Sequence, residues 1–244
     1  MFCLSVFWTN GLISQVINER AEIIIEFHFD ENTFPKKWQK NRINGKAMPL
    51  DSLEMERSRQ IISKALDKYP DEFLKINLKK IVVLKSMEFF GQSYGGTNSK
   101  GTVYVANDGV NNGYTDYFIE KSFHHEFSSV LIKSRSNKFK KRHWKKLNSI
   151  KYGKGGIKAI ESSNISSNFD GYYNTNGFLY EYAQSSLEND FNSFAENLFL
   201  PDKSYYKVVS SNSILFTKHQ QIIRFYNSLN KVFTEDYFKG FNKW

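Results

Sequence analysis

Seven residues near the middle of the chain, Phe123-His124-His125-Glu126-Phe127-Ser128-Ser129, place imidazoles beside a carboxylate in a stretch with helical apolar spacing. Residues four apart lie on one helix face. Two histidines at that spacing grip a zinc ion, and a glutamate directly after the first activates a water for attack on a carbonyl. His125 and Glu126 fill the first two of these places, and Ser129 stands where the second histidine would be. Moving the frame back one residue does not restore the pair, because the partner of His124 is then Ser128. A catalytic zinc takes three protein ligands and a water. A serine hydroxyl, whose proton is hard to remove, is a poor substitute.

The surrounding pattern predicts the elements that must hold these residues. Tyr117 to Lys133 reads as the helix that carries them, with Phe118, Phe123, Phe127, Val130 and Leu131 as its apolar stripe. Before it come a strand at Ala21 to Phe29, a helix at Asp51 to Tyr69 and two further strands. The helix opens on a capping box, Asp51 with Glu54 three residues on. The strands are Ile76 to Met87 and Gly101 to Ala106, the second flanked by glycine turns and placed near a sheet edge. Lys151 to Asn176 is rich in Gly, Ser and Asn and reads as a long surface excursion. Helices follow at Ser185 to Leu200, N-capped by Ser185 or Ser186, and at Ser213 to Val232. The expected class is α+β, a single domain over residues 1–244. Its sheet and central helix occupy 20–135, and a helical C-terminal part occupies 177–244.

The layout resembles the zincin metallopeptidases, and the gluzincin type in particular, including bacteroidete lipoprotein peptidases. Gly95-Gly96-Thr97 through Val103-Tyr104-Val105 is similar to the edge strand that precedes the active-site helix in that group. Leu187-Glu188-Asn189-Asp190-Phe191-Asn192-Ser193-Phe194-Ala195-Glu196 is similar to its later acidic helix. The resemblance spans about Lys79 to Phe199 and departs at Ser129. The acidic helix aligns only with a shift of one or two positions. The resemblance implies a small mixed or antiparallel sheet, a zinc ion and a peptide or protein substrate laid along the edge strand beside Gly96 and Tyr104. It implies His125 as a metal ligand, Glu188 or else Asp190 as the acidic one, and His124 in reserve. Glu126 would be the general base and Tyr182 the group that hydrogen-bonds the oxyanion.

Ser129 leaves three outcomes. The site recruits another ligand, from His124, Glu188, Asp190 or Glu196. Or it holds a harder metal more weakly through oxygen donors. Or the fold persists without the activity, as a module that binds a peptide, protein or glycan along its edge strand.

Bulk composition narrows the remainder. The chain has 244 residues, 40% hydrophobic and 24% charged, with 22 Phe and 14 Tyr, enough to bury a core without staples. Its one cysteine, Cys3, excludes an internal disulfide and a cysteine-built metal site. The formal charge is +9, with scattered lysines apart from the run Lys138 to Lys146, whose functional reading is contact with phosphates. No nucleic-acid recognition motif accompanies it. Met1 to Trp8 is apolar but short and lacks the parts of a complete signal peptide. It would fit the tail of one, and with it an extracytoplasmic bacterial lipoprotein or periplasmic protein. No apolar run is long enough to span a membrane. His28 and His219, the latter on a polar helix face, receive no role, and His143 is at most a spare ligand. Gly153 to Gly156 lacks the ending of a phosphate loop. Asn164-Ile165-Ser166 fits a glycosylation sequon.

Overall fold

The computed structural model describes residues 6–9, 12–18, 22–153 and 168–242. The sequon at Asn164 and most of the Gly- and Ser-rich excursion lie outside them. The chain divides into two compact units, Met1–Val130 and Leu131–Trp244, with the division inside one helix. Its fold class is α+β.

The first unit is built on one mixed sheet of eight strands. These are β1 (Val6–Thr9), β2 (Leu12–Asn18), β3 (Ile23–Glu26), β4 (Lys46–Pro49), β5 (Lys80–Phe89), β6 (Gln92–Ser93), β7 (Gly96–Ser99) and β8 (Thr102–Ala106). The main path runs β1-β2-β3-β5-β8-β7. The long β5 carries two neighbourhoods. Its first half pairs in parallel with β3 and β8, and its second half pairs antiparallel with β4 and β6. Pro49 ends β4 at a register shift, where a missing N–H is tolerated.

Both faces of β5 are buried, as its unbroken Ile-Val-Val-Leu run requires. Val82 and Leu84 join Tyr104, Ala106, Phe34, Met87 and Phe89 in one apolar cluster. On the opposite face Ile81, Val83, Val103 and Val105 are equally buried. The β7–β8 hairpin turns on Lys100 and Gly101, both with positive φ, and its two-residue loop fixes Ser99 opposite Thr102.

Three helices complete this unit: α1 (Ser52–Leu66), α2 (Asp71–Asn77) and α3 (Asp116–Ser134), the last running on into the second unit. The expected capping box at α1 does not form. The Glu54 carboxylate turns instead to Arg57 at 2.6 Å and Asn107 at 3.1 Å. A full guanidinium charge outbids a backbone N–H at the helix start. β8 lies near the sheet edge as expected, one strand in from the outermost β7. It lies between β5 and β7, so its Val-Tyr-Val alternation reflects a fully covered strand.

The second unit is helical: the end of α3, then α4 (Lys141–Lys146), α5 (Gly171–Thr175), α6 (Glu181–Gln184), α7 (Leu187–Phe199), α8 (Tyr205–Ser210), α9 (Ser213–Leu229) and α10 (Glu235–Lys239). Ser186 caps α7 by accepting from the Asn189 N–H at 3.0 Å, and Asn212 caps α9 in the same way. Every residue of α7 from Asp190 to Phe199 is buried. Its polar side chains are therefore internal and must be matched. Asp190 shows how. Its Oδ2 accepts from Trp144 Nε1 at 2.7 Å, Tyr152 Oη at 2.6 Å and Lys218 Nζ at 2.6 Å. Lys218 also donates to the Gly177 carbonyl at 2.5 Å and lies over the rings of Trp144 and Phe178. Burial pulls the Lys218 ammonium below its usual range, and the Asp190 charge opposes that pull.

His219, expected on a polar face, is buried. Its Nδ1 lies 2.9 Å from the Tyr205 hydroxyl, and burial pushes its pKa down to about 4. Lys218 and His219 together show that the polar-looking turn of α9 faces inward.

Asp190→Ala and Lys218→Met should each destabilise the protein by about 3–5 kcal/mol, because each strands a buried charge. The double variant should cost much less than the sum. Denaturant titration of the four proteins measures this, and simple additivity would contradict the pairing.

Candidate functional site

α3 distributes its side chains by angle. Ile119, Phe123 and Phe127 are fully buried and set the helix against the core. Each is worth about 1.5–3 kcal/mol of burial. The neighbouring stripe carries Glu120 and His124, both with almost no exposure. The Glu120 carboxylate meets Lys64 at 2.9 Å and Lys68 at 2.5 Å, reaching α1 and the turn after it. Burial pushes this carboxyl up. His124 and Lys68 beside it outweigh burial and hold it well below the usual carboxylate range. His124 Nδ1 sits 2.8 Å from the Tyr69 hydroxyl, and its Nε2 lies 3.8 Å from Glu120. This corrects the reserve role for His124: its ring is an internal member of the α1–α3 contact.

His125 and Glu126 lie one and two steps further round the helix, about 100° per step, and both are half-buried. The Glu126 carboxylate accepts from Asn98 Nδ2 at 2.6 Å. Asn98 stands on β7, two residues from Gly96, so both face the same way. A Cβ on Gly96 would come within 2.8 Å of Glu126 Cγ and 3.1 Å of Oε1. Gly96 does not have a positive φ, so a left-handed backbone does not explain the glycine. Space for Glu126 does. Gly95 is similar, since a Cβ there would come within 2.9 Å of the Phe118 ring. The two glycines thus let α3 lie close over β7, with the motif carboxylate resting on the strand.

Both serines of the motif are buried. Ser129 is 1% exposed. Ser128 bonds back to the His125 carbonyl at 2.8 Å, a local bond common for serine inside helices.

Tyr104, expected to touch substrate, is a core residue. Its hydroxyl donates to the Thr33 carbonyl at 2.8 Å, its ring packs on Phe34 and Trp38, and burial pushes its pKa up to about 12. The physical reason is the inner position of β8.

In the second unit, Tyr182 is half-buried on α6. Glu188, in the first turn of α7, pairs with Lys133 at 2.8 Å. Asp190 is taken up by its three donors, and Glu196 holds the Tyr180 hydroxyl. Among the described residues there is no group of three or more His, Cys, Asp or Glu side chains arranged to hold a metal ion. Asn98 and Lys133 were not anticipated from the sequence. The alternation of β7 would have found Asn98, but nothing local would have found Lys133.

Comparison with known proteins agrees at the level of architecture. No family model matches the chain, and no curated protein matches it. Among solved structures, it is similar to the crystal structure of a "putative zinc-binding metallo-peptidase" from Bacteroides caccae ATCC 43185, with a TM-score of 0.53 and 16% identity over 88% of this chain and 85% of that one. The fold is therefore metallopeptidase-like at a distance. At that identity the likeness extends to the fold alone.

Gly96→Ala should cost about 1–3 kcal/mol by forcing Glu126 aside. In a Glu126→Ala background the same change should be neutral or stabilising, since a strand glycine without a spatial reason weakens its strand. Thermal melts of the two single variants and the double variant decide this. An equal cost in both backgrounds would refute the close approach.

Proposed function

We propose that this chain uses a metallopeptidase-like fold to bind an extended peptide along β7, with recognition rather than zinc-centred cleavage as its task. The observation that carries the reading is the engagement of His124, Glu188, Asp190 and Glu196 in other contacts, while Glu126 rests against the outermost strand. β7 ends the sheet path, with β8 as its neighbour in the ladder. An outer strand offers N–H and C=O groups that an incoming segment can pair with, which supplies affinity for any extended sequence. Glu126 then supplies selectivity. Its carboxylate lies over the Gly96–Asn98 face, so a Lys or Arg side chain at the matching position of the peptide would be favoured.

A second reading is zinc-dependent hydrolysis of peptide bonds, with Glu126 as the base that takes a proton from water. The placement of Glu126 at the strand and the description of the Bacteroides caccae neighbour favour it. It requires a ligand set around His125 that the described side chains do not form.

Fluorescence polarisation with a library of extended, labelled peptides tests the first reading. Binding should persist in chelator, prefer peptides with a basic residue, and weaken about tenfold for those peptides in Glu126→Gln, the value of one charge-assisted bond. Chelator-sensitive cleavage of the same peptides, lost in Glu126→Gln, would replace it with the second.

A further inference from the structure

The densest charge on the chain lies at Lys138 to Lys146, where six of nine residues are lysine or arginine and none is acidic. Two buried rings fix this stretch to the second unit. Phe139 packs on Trp144 and Phe191, and Trp144 donates to Asp190. With Trp144 turned inward, the 100° step of a helix sends Arg142 and Lys146 to the opposite side of α4 and Lys141 and Lys145 to its flank. Lys138, Lys140, Lys141, Arg142, Lys145 and Lys146 are all exposed. None of the six forms an ion pair with a described residue. Three other lysines of this unit are matched, Lys133 with Glu188, Lys218 with Asp190 and Lys239 with Glu235, whereas Lys207 and Lys231 form no ion pair with a described residue. Among the described residues this stretch thus forms a cationic face without ion pairs, held on a rigid mount.

We propose that this face docks the protein onto an anionic phospholipid surface through charge alone. A nucleic acid fits the same charge less well. Phe139 and Trp144 are buried, which leaves the imidazole of His143 as the one ring of the stretch able to stack on a base. α4 is about 9 Å long, too short to lie along a groove and read it. A lipid surface needs neither feature, and clusters of four to eight cations suffice to hold a protein there.

The test uses the full chain and sedimentation with vesicles of phosphatidylcholine, with or without about 30% phosphatidylserine. Binding should require phosphatidylserine and fall steeply between about 50 and about 300 mM salt. Reversing Lys141, Arg142, Lys145 and Lys146 to Glu should lower the affinity about tenfold or more. Reversing Lys36, Lys37, Lys40 and Arg42, four exposed cations of the first unit, should change it less than about twofold. Melting curves check that both variants fold. If the Glu set does not fold, a Gln set at the same four positions replaces it. Equal losses from the two reversals, binding without phosphatidylserine, or tighter binding to a DNA duplex at matched phosphate concentration would each overturn the proposal.

Discussion

The lie of α3 over the sheet is set by the burial of Ile119, Phe123 and Phe127, and the rest of the first unit follows from it. Three fully buried side chains contribute several kcal/mol together. The Glu126–Asn98 bond contributes about 1.5–3 kcal/mol as a charge-assisted contact. Packing therefore decides where the helix sits, and the carboxylate arrives at β7 as a consequence. The price is a close approach for which glycine at positions 95 and 96 leaves room. A helix this tightly divided by angle leaves no freedom to swing His124 round to His125, because Tyr69 and Glu120 hold it on another face.

The second unit obeys a similar constraint. Helix α7 is buried along most of its length, so its acids are internal groups that need donors. Asp190 gathers an indole, a phenol and an ammonium from three separate stretches of chain. That arrangement links α4, the segment at Tyr152, α7 and α9, and it gives the acid a structural task. Glu188, exposed enough to remain in water, is balanced by Lys133. An acidic helix whose carboxylates are matched in this way differs chemically from one whose carboxylates await a metal.

Much of this was legible in the residues. The periods of α1, α3, α7 and α9 and the apolar run of β5 are strong local signals, and the observed elements lie within a few residues of those readings. Short pieces were not legible. β4 has four residues and ends in proline, and α5 is one turn in a Gly- and Asn-rich stretch. The position of β8 inside the sheet depends on which strand pairs with it on the far side, and that is not encoded in its own alternation. The site was half legible. His125, Glu126 and Gly96 stand out by type and spacing. The diversion of His124, Asp190 and Glu188 depends on partners 28 to 55 positions away, namely Tyr69, Lys218 and Lys133. A polar pattern on a helix does not tell an inward face with matched partners from an outward one, which is why His219 reads as lying on a polar face.

The central claim is that the motif helix sets the Glu126 carboxylate against β7 while, among the described residues, no metal-binding group gathers around it. The most direct measurement is a zinc titration of the purified chain against a chromophoric chelator, with His125→Ala alongside. The account predicts weak, non-stoichiometric zinc uptake that is the same in both proteins. One tightly held zinc per chain, lost in His125→Ala, would contradict it.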